Sequence, residues 1–217
     1  MKGCRAMKKH LRNILVVLMT LSLVMLAGCG GGNNEPVEAP DTSQQETVKA
    51  DPIGVHHAKI KIKDYGTVTV ELDGDTAPIT VQNFMDLAKS GFYDGLTFHR
   101  IIDGFMIQGG DPNGDGTGGS GKNIPGEFES NGYTNNIAHT KGVISMARAQ
   151  DPNSASSQFF IMVADAPHLD GMYAAFGHVI DGQNVVDKIA SDATPLDDNG
   201  TVASEDQPVI ESVEIID

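Results

Sequence analysis

A chain of 217 residues is long enough for one domain with a sizeable buried core. Its composition is globular, 40% hydrophobic and 20% charged, and 25 glycines with few long helical patterns lean towards a turn-rich β architecture. With 29 acidic against 15 basic residues the formal net charge is −14, which argues against a nucleic-acid partner.

Residues 1–28 read as an export signal rather than as fold. Lys8, Lys9 and Arg12 precede an apolar run from Ile14 to Ala27, shorter than the ~20 apolar residues that a membrane span requires. The run ends in Leu26-Ala27-Gly28-Cys29, which resembles the lipobox of bacterial lipoproteins, followed by Gly30-Gly31-Gly32. Small residues let a peptidase approach the backbone, and the thiol of Cys29 is the acylation site. An ordinary signal peptide containing a cysteine is the alternative, and either Met1 or Met7 serves as its start. Removing residues 1–28 removes five basic residues and no acid, leaving ten basic, 29 acidic and a formal net charge of −19. The lipid, not surface charge, is then the expected membrane anchor, giving an extracytoplasmic, membrane-anchored address. Cys4 leaves with the signal and Cys29 carries lipid, so no disulfide is available.

Residues 29–55 comprise the lipidated Cys29 and a polar stretch without apolar periodicity, expected to be a disordered tether. The folded domain is expected over residues 56–217. Ala58, Ile60 and Ile62 alternate with lysines, Asp64-Tyr65-Gly66 turns the chain, and Val68, Val70 and Leu72 alternate again, predicting a β-hairpin with one buried face. A helix follows with Pro78 in its first turn, Asp75 or Thr76 as candidate caps, an apolar stripe of Val81, Phe84 and Leu87 or Ala88, and Gly91 as its stop. Residues 96–163 hold short apolar runs broken by glycine, proline and asparagine, as strands joined by long loops do. A short helix is predicted over residues 182–190, with Val185, Val186 and Ile189 inward, and a final strand over residues 208–216. This order suggests a closed β-barrel with a helix over each open end.

Three motifs fail on inspection. Residues 116–122 (GTGGSGK) imitate a phosphate-binding loop, but Asn123 stands where a hydroxyl belongs and Pro125 follows where a helix must start. Residues 111–116 (DPNGDG) imitate a calcium loop, but its twelfth position is Lys122 instead of glutamate. No Gly-x-Ser-x-Gly elbow supports serine hydrolysis.

Two stretches stand out: residues 98–111 (FHRIIDGFMIQGGD) and residues 145–161, which contain SMARA and SSQFFI. Residues 168–179 (HLDGMYAAFGHV) follow. Strand alternation puts Met106 and Gln108 on one face, and Gln158 and Phe160 on one face with Phe159 on the other. Each apolar residue alone is a core candidate. Arg100 beside Phe105, Met106, Phe160 and Leu169 shifts the reading towards a pocket, because arginine is rarely buried without a partner.

In order over residues 58–217, these segments closely resemble the signatures of cyclophilins, a family of peptidyl-prolyl cis-trans isomerases. The resemblance implies a mainly β, closed antiparallel eight-stranded barrel capped by two α-helices. It implies acceleration of X-Pro isomerisation in exported proteins, with a non-catalytic proline-peptide-binding chaperone module as the rival. Arg100 matches the catalytic arginine. Phe105, Met106, Phe160 and Leu169 match the walls of the proline pocket, and Gln108 the residue that holds the arginine. Ala147, Arg148 and Ala149 would line the groove, Gln158 the floor of an adjoining pocket, and Gly116 to Gly119 its border. His168 and Tyr173 complete the expected substrate contacts. The sequence departs from the family at Arg148, where many members have asparagine and where a cation is expected to favour acidic substrates. It also departs at Tyr173, often histidine, and at His168, tryptophan in many eukaryotic members and a donor for tight cyclosporin binding. Such an isomerase requires no cofactor and no metal. Its partners are proline-containing polypeptides and, through Cys29, a membrane; nothing suggests more than a monomer.

Overall fold

In the computed structural model, residues 48–217 are described; the signal segment, Cys29 and the first part of the expected tether lie outside the described residues. Of the remaining tether, Val48 already touches the domain, its carbonyl accepting from Tyr133 Oη at 2.6 Å. Ile53 N donates to Gly74 O and Gly74 N to Gly54 O, so backbone pairing starts just before the first strand.

The hairpin forms as its alternation dictates. Strands β1 (Val55–Ile62) and β2 (Gly66–Asp73) pair antiparallel with Ile60 opposite Val68 and Ala58 opposite Val70. Their inward residues are buried, and Asp64 takes the turn at φ 64°. Helix α1 (Pro78–Lys89) buries Val81, Phe84 and Ala88 as its stripe requires, but neither Asp75 nor Thr76 caps it. Ala77 occupies the N-cap without a side-chain bond. Instead Glu127, remote in sequence, accepts from Ile79 N at 3.1 Å, Thr80 N at 2.7 Å and the Thr80 hydroxyl at 2.6 Å. These are free donors of the helix's first turn, next to its positive end.

Strands β3 (Thr97–Ile102), β4 (Met106–Asp111), β5 (Val143–Met146), β6 (Phe159–Met162) and β7 (Ala175–Asp181) follow, then helix α2 (Gln183–Asp192) and strand β8 (Ile210–Ile215). The sheet order is β3-β4-β6-β5-β7-β2-β1-β8, with every pairing antiparallel. Eight strands and two helices match expectation; closure does not. The sheet is an open half-barrel, and its edges β3 and β8 meet at an isolated bridge, Thr97 to Val209. Phe98 N reaches Pro208 O, but Pro208 has no N–H to continue a ladder. Further along, β3 takes its outer bonds from irregular chain, Ile101 N to Gly200 O and Val202 N to His99 O.

Two apolar clusters lie on opposite faces of this sheet. The inner one is built around Phe84 of α1, whose ring lies 5.2–5.5 Å from Tyr93, Phe159 and Phe176. The outer one is smaller: Met106, Val143, Phe160, Met162, Ala166, Leu169 and Ala175. At the far end of the sheet His57 Nδ1 pairs with Asp217 at 2.5 Å.

Replacing Glu127 by alanine leaves three donors of α1 without a partner and is expected to cost about 2–3 kcal/mol, read as a lowered denaturation midpoint in urea. The His57–Asp217 pair predicts a pH signature. Asp217 raises the pKa of His57 above its ordinary 6.5, and His57 lowers that of Asp217 below 3.8. The pair's contribution is therefore full between those ordinary values, lost as pH rises through the raised histidine value, and lost as it falls through the lowered carboxylate value. The stability difference between the protein and Asp217→Asn should accordingly be largest between the two ordinary values and shrink as pH rises through the raised histidine value.

Candidate functional site

The outer cluster becomes a pocket because of strand register. On β4, Ile107 points into the inner core while Met106 and Gln108 point outward. On β6, Phe159 and Ile161 go inward and Phe160 and Met162 outward. Pairing sets Gln108 opposite Phe160 on one side and opposite Arg100 on the other, so the three lie in a row across β3, β4 and β6. A bulge between Phe98 and Arg100 lets Phe98 and His99 both be buried and still turns Arg100 outward.

Arg100, Phe105, Met106, Gln108, Ala147, Arg148, Phe160, Leu169 and Tyr173 line a cavity of about 280 Å³. A second of about 220 Å³ adjoins it, lined by the Gly116 to Gly118 loop, Ala149, Ser154, Ser156 and Gln158, and shares Gln108, Ala147 and Arg148 with the first. Thus eleven of the twelve site residues expected in the domain line one cavity or the other. His168 does not: it is exposed and stacks on Phe105 from outside, centroids 5.8 Å apart at 27°.

A directed chain of amides fixes the arginine. Gln158 Nε2 donates to Gly116 O at 3.0 Å and Gly118 O at 2.8 Å, Gln108 Nε2 donates to Gln158 Oε1 at 2.9 Å, and Arg100 Nη1 donates to Gln108 Oε1 at 3.2 Å. Each amide gives its hydrogens one way and its oxygen the other, so neither can flip without breaking the chain. Arg100 Nε donates to Asn199 O at 2.7 Å. This contact was not legible in the sequence, because a backbone carbonyl leaves no side-chain signal. Among the described residues Arg100 Nη2 has no hydrogen-bond partner and Arg100 is in no ion pair. Burial lowers its pKa from the ordinary value, offset in part by Tyr173 and Asp197. Arginine nevertheless stays charged at neutral pH. Among the described residues no carboxylate lines either cavity.

Arg148 is not the free cation that its charge suggested. Its Nε and Nη2 both donate to Met172 O, at 3.1 and 2.8 Å, and Nη1 donates to Ala149 O at 2.8 Å and Gln150 O at 3.3 Å. Its guanidinium carbon lies 4.7 Å from the Tyr173 ring centroid and 5.0 Å from that of Phe128.

The rejected motifs fail in three dimensions too. The Asp111 carboxylate is consumed by its own loop, accepting from Asn113 N, Asp115 N and Gly116 N. Asp170, His139 and Ser145 form a relay at 3.0 Å per step, but Ser145 is fully buried on β5, where no substrate reaches its hydroxyl. Burial lowers His99, so it is neutral at neutral pH. Among the described residues no cluster of histidine, cysteine and carboxylate could hold a metal ion.

Chemically the arrangement is a hollow walled on one side by Phe105, Met106, Phe160 and Leu169, with the Arg100 guanidinium held beside them and no carboxylate among its lining residues. It holds no activated nucleophile, and it suits stabilisation of a neutral group that gains hydrogen-bond basicity as it reacts.

The chain is similar to several known proteins. A "Peptidyl-prolyl cis-trans isomerase-like 1" of Rhizopus delemar is 48% identical over 134 residues, 61% of this chain and 79% of that one. A "Peptidyl-prolyl cis-trans isomerase" of Helicobacter pylori is 41% identical over 157 residues, 71% of this chain and 90% of its own. A Cryptosporidium parvum cyclophilin type isomerase, solved in the presence of the dipeptide Ala-Pro, superposes with a TM-score of 0.65 at 32% identity, covering 74% of this chain and 99% of that one. The sequence model of the family described as "Cyclophilin type peptidyl-prolyl cis-trans isomerase/CLD" matches residues 57–216, and the chain belongs to that family.

Proposed function

We propose that this isomerase twists the X-Pro bond of exported polypeptides against Arg100, working as a monomer from a lipid anchor on Cys29. The observation that carries the mechanism is the guanidinium of Arg100, held by Gln108 Oε1 and Asn199 O beside the Phe105, Met106, Phe160 and Leu169 wall, with Nη2 unpartnered among the described residues.

The barrier to be lowered is ~18–20 kcal/mol, because the amide nitrogen's lone pair is delocalised into the carbonyl. Uncatalysed exchange before proline takes tens to hundreds of seconds, and reaching about ten milliseconds requires about 5–6 kcal/mol. At the twisted transition state the prolyl nitrogen recovers its lone pair and accepts from Arg100. That bond is absent from either planar isomer, so it lowers the barrier instead of merely tightening binding. The twisted amide is also less charge-separated, and the hollow walled by Phe105, Met106, Phe160 and Leu169 favours it over the planar forms. Gln108 positions the arginine, while Ala147, Ala149 and Gln158 meet the peptide ahead of proline. The Ala-Pro dipeptide associated with the Cryptosporidium relative fits the same X-Pro recognition.

The outward address rests on the basic residues, the short apolar run and the Leu26-Ala27-Gly28-Cys29 signature of the N-terminal sequence. Cells producing the full chain should label it with radioactive palmitate, and Cys29→Ser should abolish the label; label retained in that variant would overturn the anchor.

Arg100→Lys keeps the charge but loses the planar fork, which serves Gln108, Asn199 and the substrate at once. An NMR exchange assay on an Ala-Pro peptide should find turnover reduced about a hundredfold with an almost unchanged melting temperature, the scale of one lost transition-state donor. Wild-type turnover in that variant removes Arg100 from its role. Failure of the unaltered protein to speed exchange, with peptide still bound, makes it a binding module instead.

A further inference from the structure

Arg148 lines both cavities, yet its donors point away from them, towards carbonyls of its own chain. We infer that Arg148 is a positioning residue: its guanidinium is a planar wedge that locks Tyr173 into the wall of the proline pocket and so maintains the partition between that pocket and the one beside it. The inference rests on the isomerase reading for what the pocket binds, and adds which residue sets its width.

Three independent contacts carry it. The carbonyl of Met172 takes two of the donors, tying the segment after β5 to the residue preceding Tyr173. Ala149 O and Gln150 O take a third nitrogen, bending the chain back over its own side chain. The guanidinium carbon also lies over both Phe128, buried to 1%, and Tyr173, 5.0 and 4.7 Å from their ring centroids. Tyr173 in turn meets Phe160 edge-on, at 5.9 Å and 84°. Phe128 is anchored in the inner core, so the order Phe128, Arg148, Tyr173, Phe160 transmits a fixed position to the pocket wall.

This use of a cation fits its surroundings. Among the described residues Arg148 is in no ion pair, and carbonyl dipoles and ring faces offset its desolvation. With its nitrogens engaged, it has little left for a substrate carboxylate, so the preference for acidic peptides that its charge suggested does not follow. A lysine at this position keeps the stem and the charge but can neither fork onto one carbonyl nor lie flat between two rings.

The test is a double-mutant cycle on the full folded chain, read by NMR titration with the tetrapeptide Ala-Ala-Pro-Phe. Arg148→Lys and Tyr173→Leu should each raise Kd about fivefold, and the double variant should be no weaker than either single, because the two act as one unit. Ring signals of Tyr173, one of four tyrosines, should shift in Arg148→Lys. A double variant weakened by the product of the two single effects, or Arg148→Lys binding like wild type, overturns the wedge. So does a loss confined to a peptide carrying glutamate ahead of proline, since Arg148 would then be a charge offered to substrate. Because affinity is measured directly, a wild-type chain that binds the peptide without speeding its exchange contradicts the isomerase reading and not the wedge.

Discussion

The pairing register of β3, β4 and β6 is the constraint on which both the core and the site depend. It sets Ile101, Ile107, Phe159 and Ile161 towards the inner core, and in the same stroke sets Arg100, Gln108 and Phe160 in a row on the outer face. Strand side chains alternate with a period of two, so a one-residue slip would exchange the two sets. That slip would put a guanidinium and an amide into the aromatic cluster around Phe84. The register is therefore enforced by the energy of the inner core, and the site inherits its precision from packing that never touches a ligand.

A half-buried arginine usually has its charge offset by a carboxylate. Here, among the described residues, neither cavity is lined by one. The guanidinium is held instead by a glutamine oxygen and the Asn199 carbonyl. The difference matters chemically, because a carboxylate would satisfy the fork and compete with a weakly basic nitrogen that exists only in a transition state. Dipoles hold the group in place and leave its hydrogens polarised. The amide chain running back through Gln158 to the glycine-rich loop lets this restraint come from main-chain carbonyls, which cannot titrate.

What the sequence revealed follows from how far each signal reaches along the chain. The first hairpin and both helices were legible because alternation, Pro78 and the Val185, Val186 and Ile189 stripe act within a few residues. Glu127 capping α1 was not legible, since it lies 47 residues from the Thr80 it caps and resembles any surface glutamate in sequence. Closure was misread because apolar runs announce strands but not how the two edges meet; Pro208, read as a strand start, is part of why the seam stays open. At the site, the residues on strands fell where alternation put them. His168, on a 3₁₀ turn, fell outside the cavity, because a turn carries no periodicity from which its direction can be read.

The two groove arginines show that residue type alone does not assign a role. Both are half-buried and both line the cavity of about 280 Å³. Arg100 gives three hydrogen bonds, to Asn199 O, Gln108 Oε1 and Met106 Sδ, and its Nη2 has no partner among the described residues, whereas Arg148 gives four hydrogen bonds to carbonyls and its guanidinium carbon lies 4.7 and 5.0 Å from the Tyr173 and Phe128 ring centroids. Counting which donors are already satisfied distinguishes two arginines that the sequence alone presents as equivalent cations. Arg148 keeps its positive charge, but its hydrogen bonds go to carbonyls of its own chain.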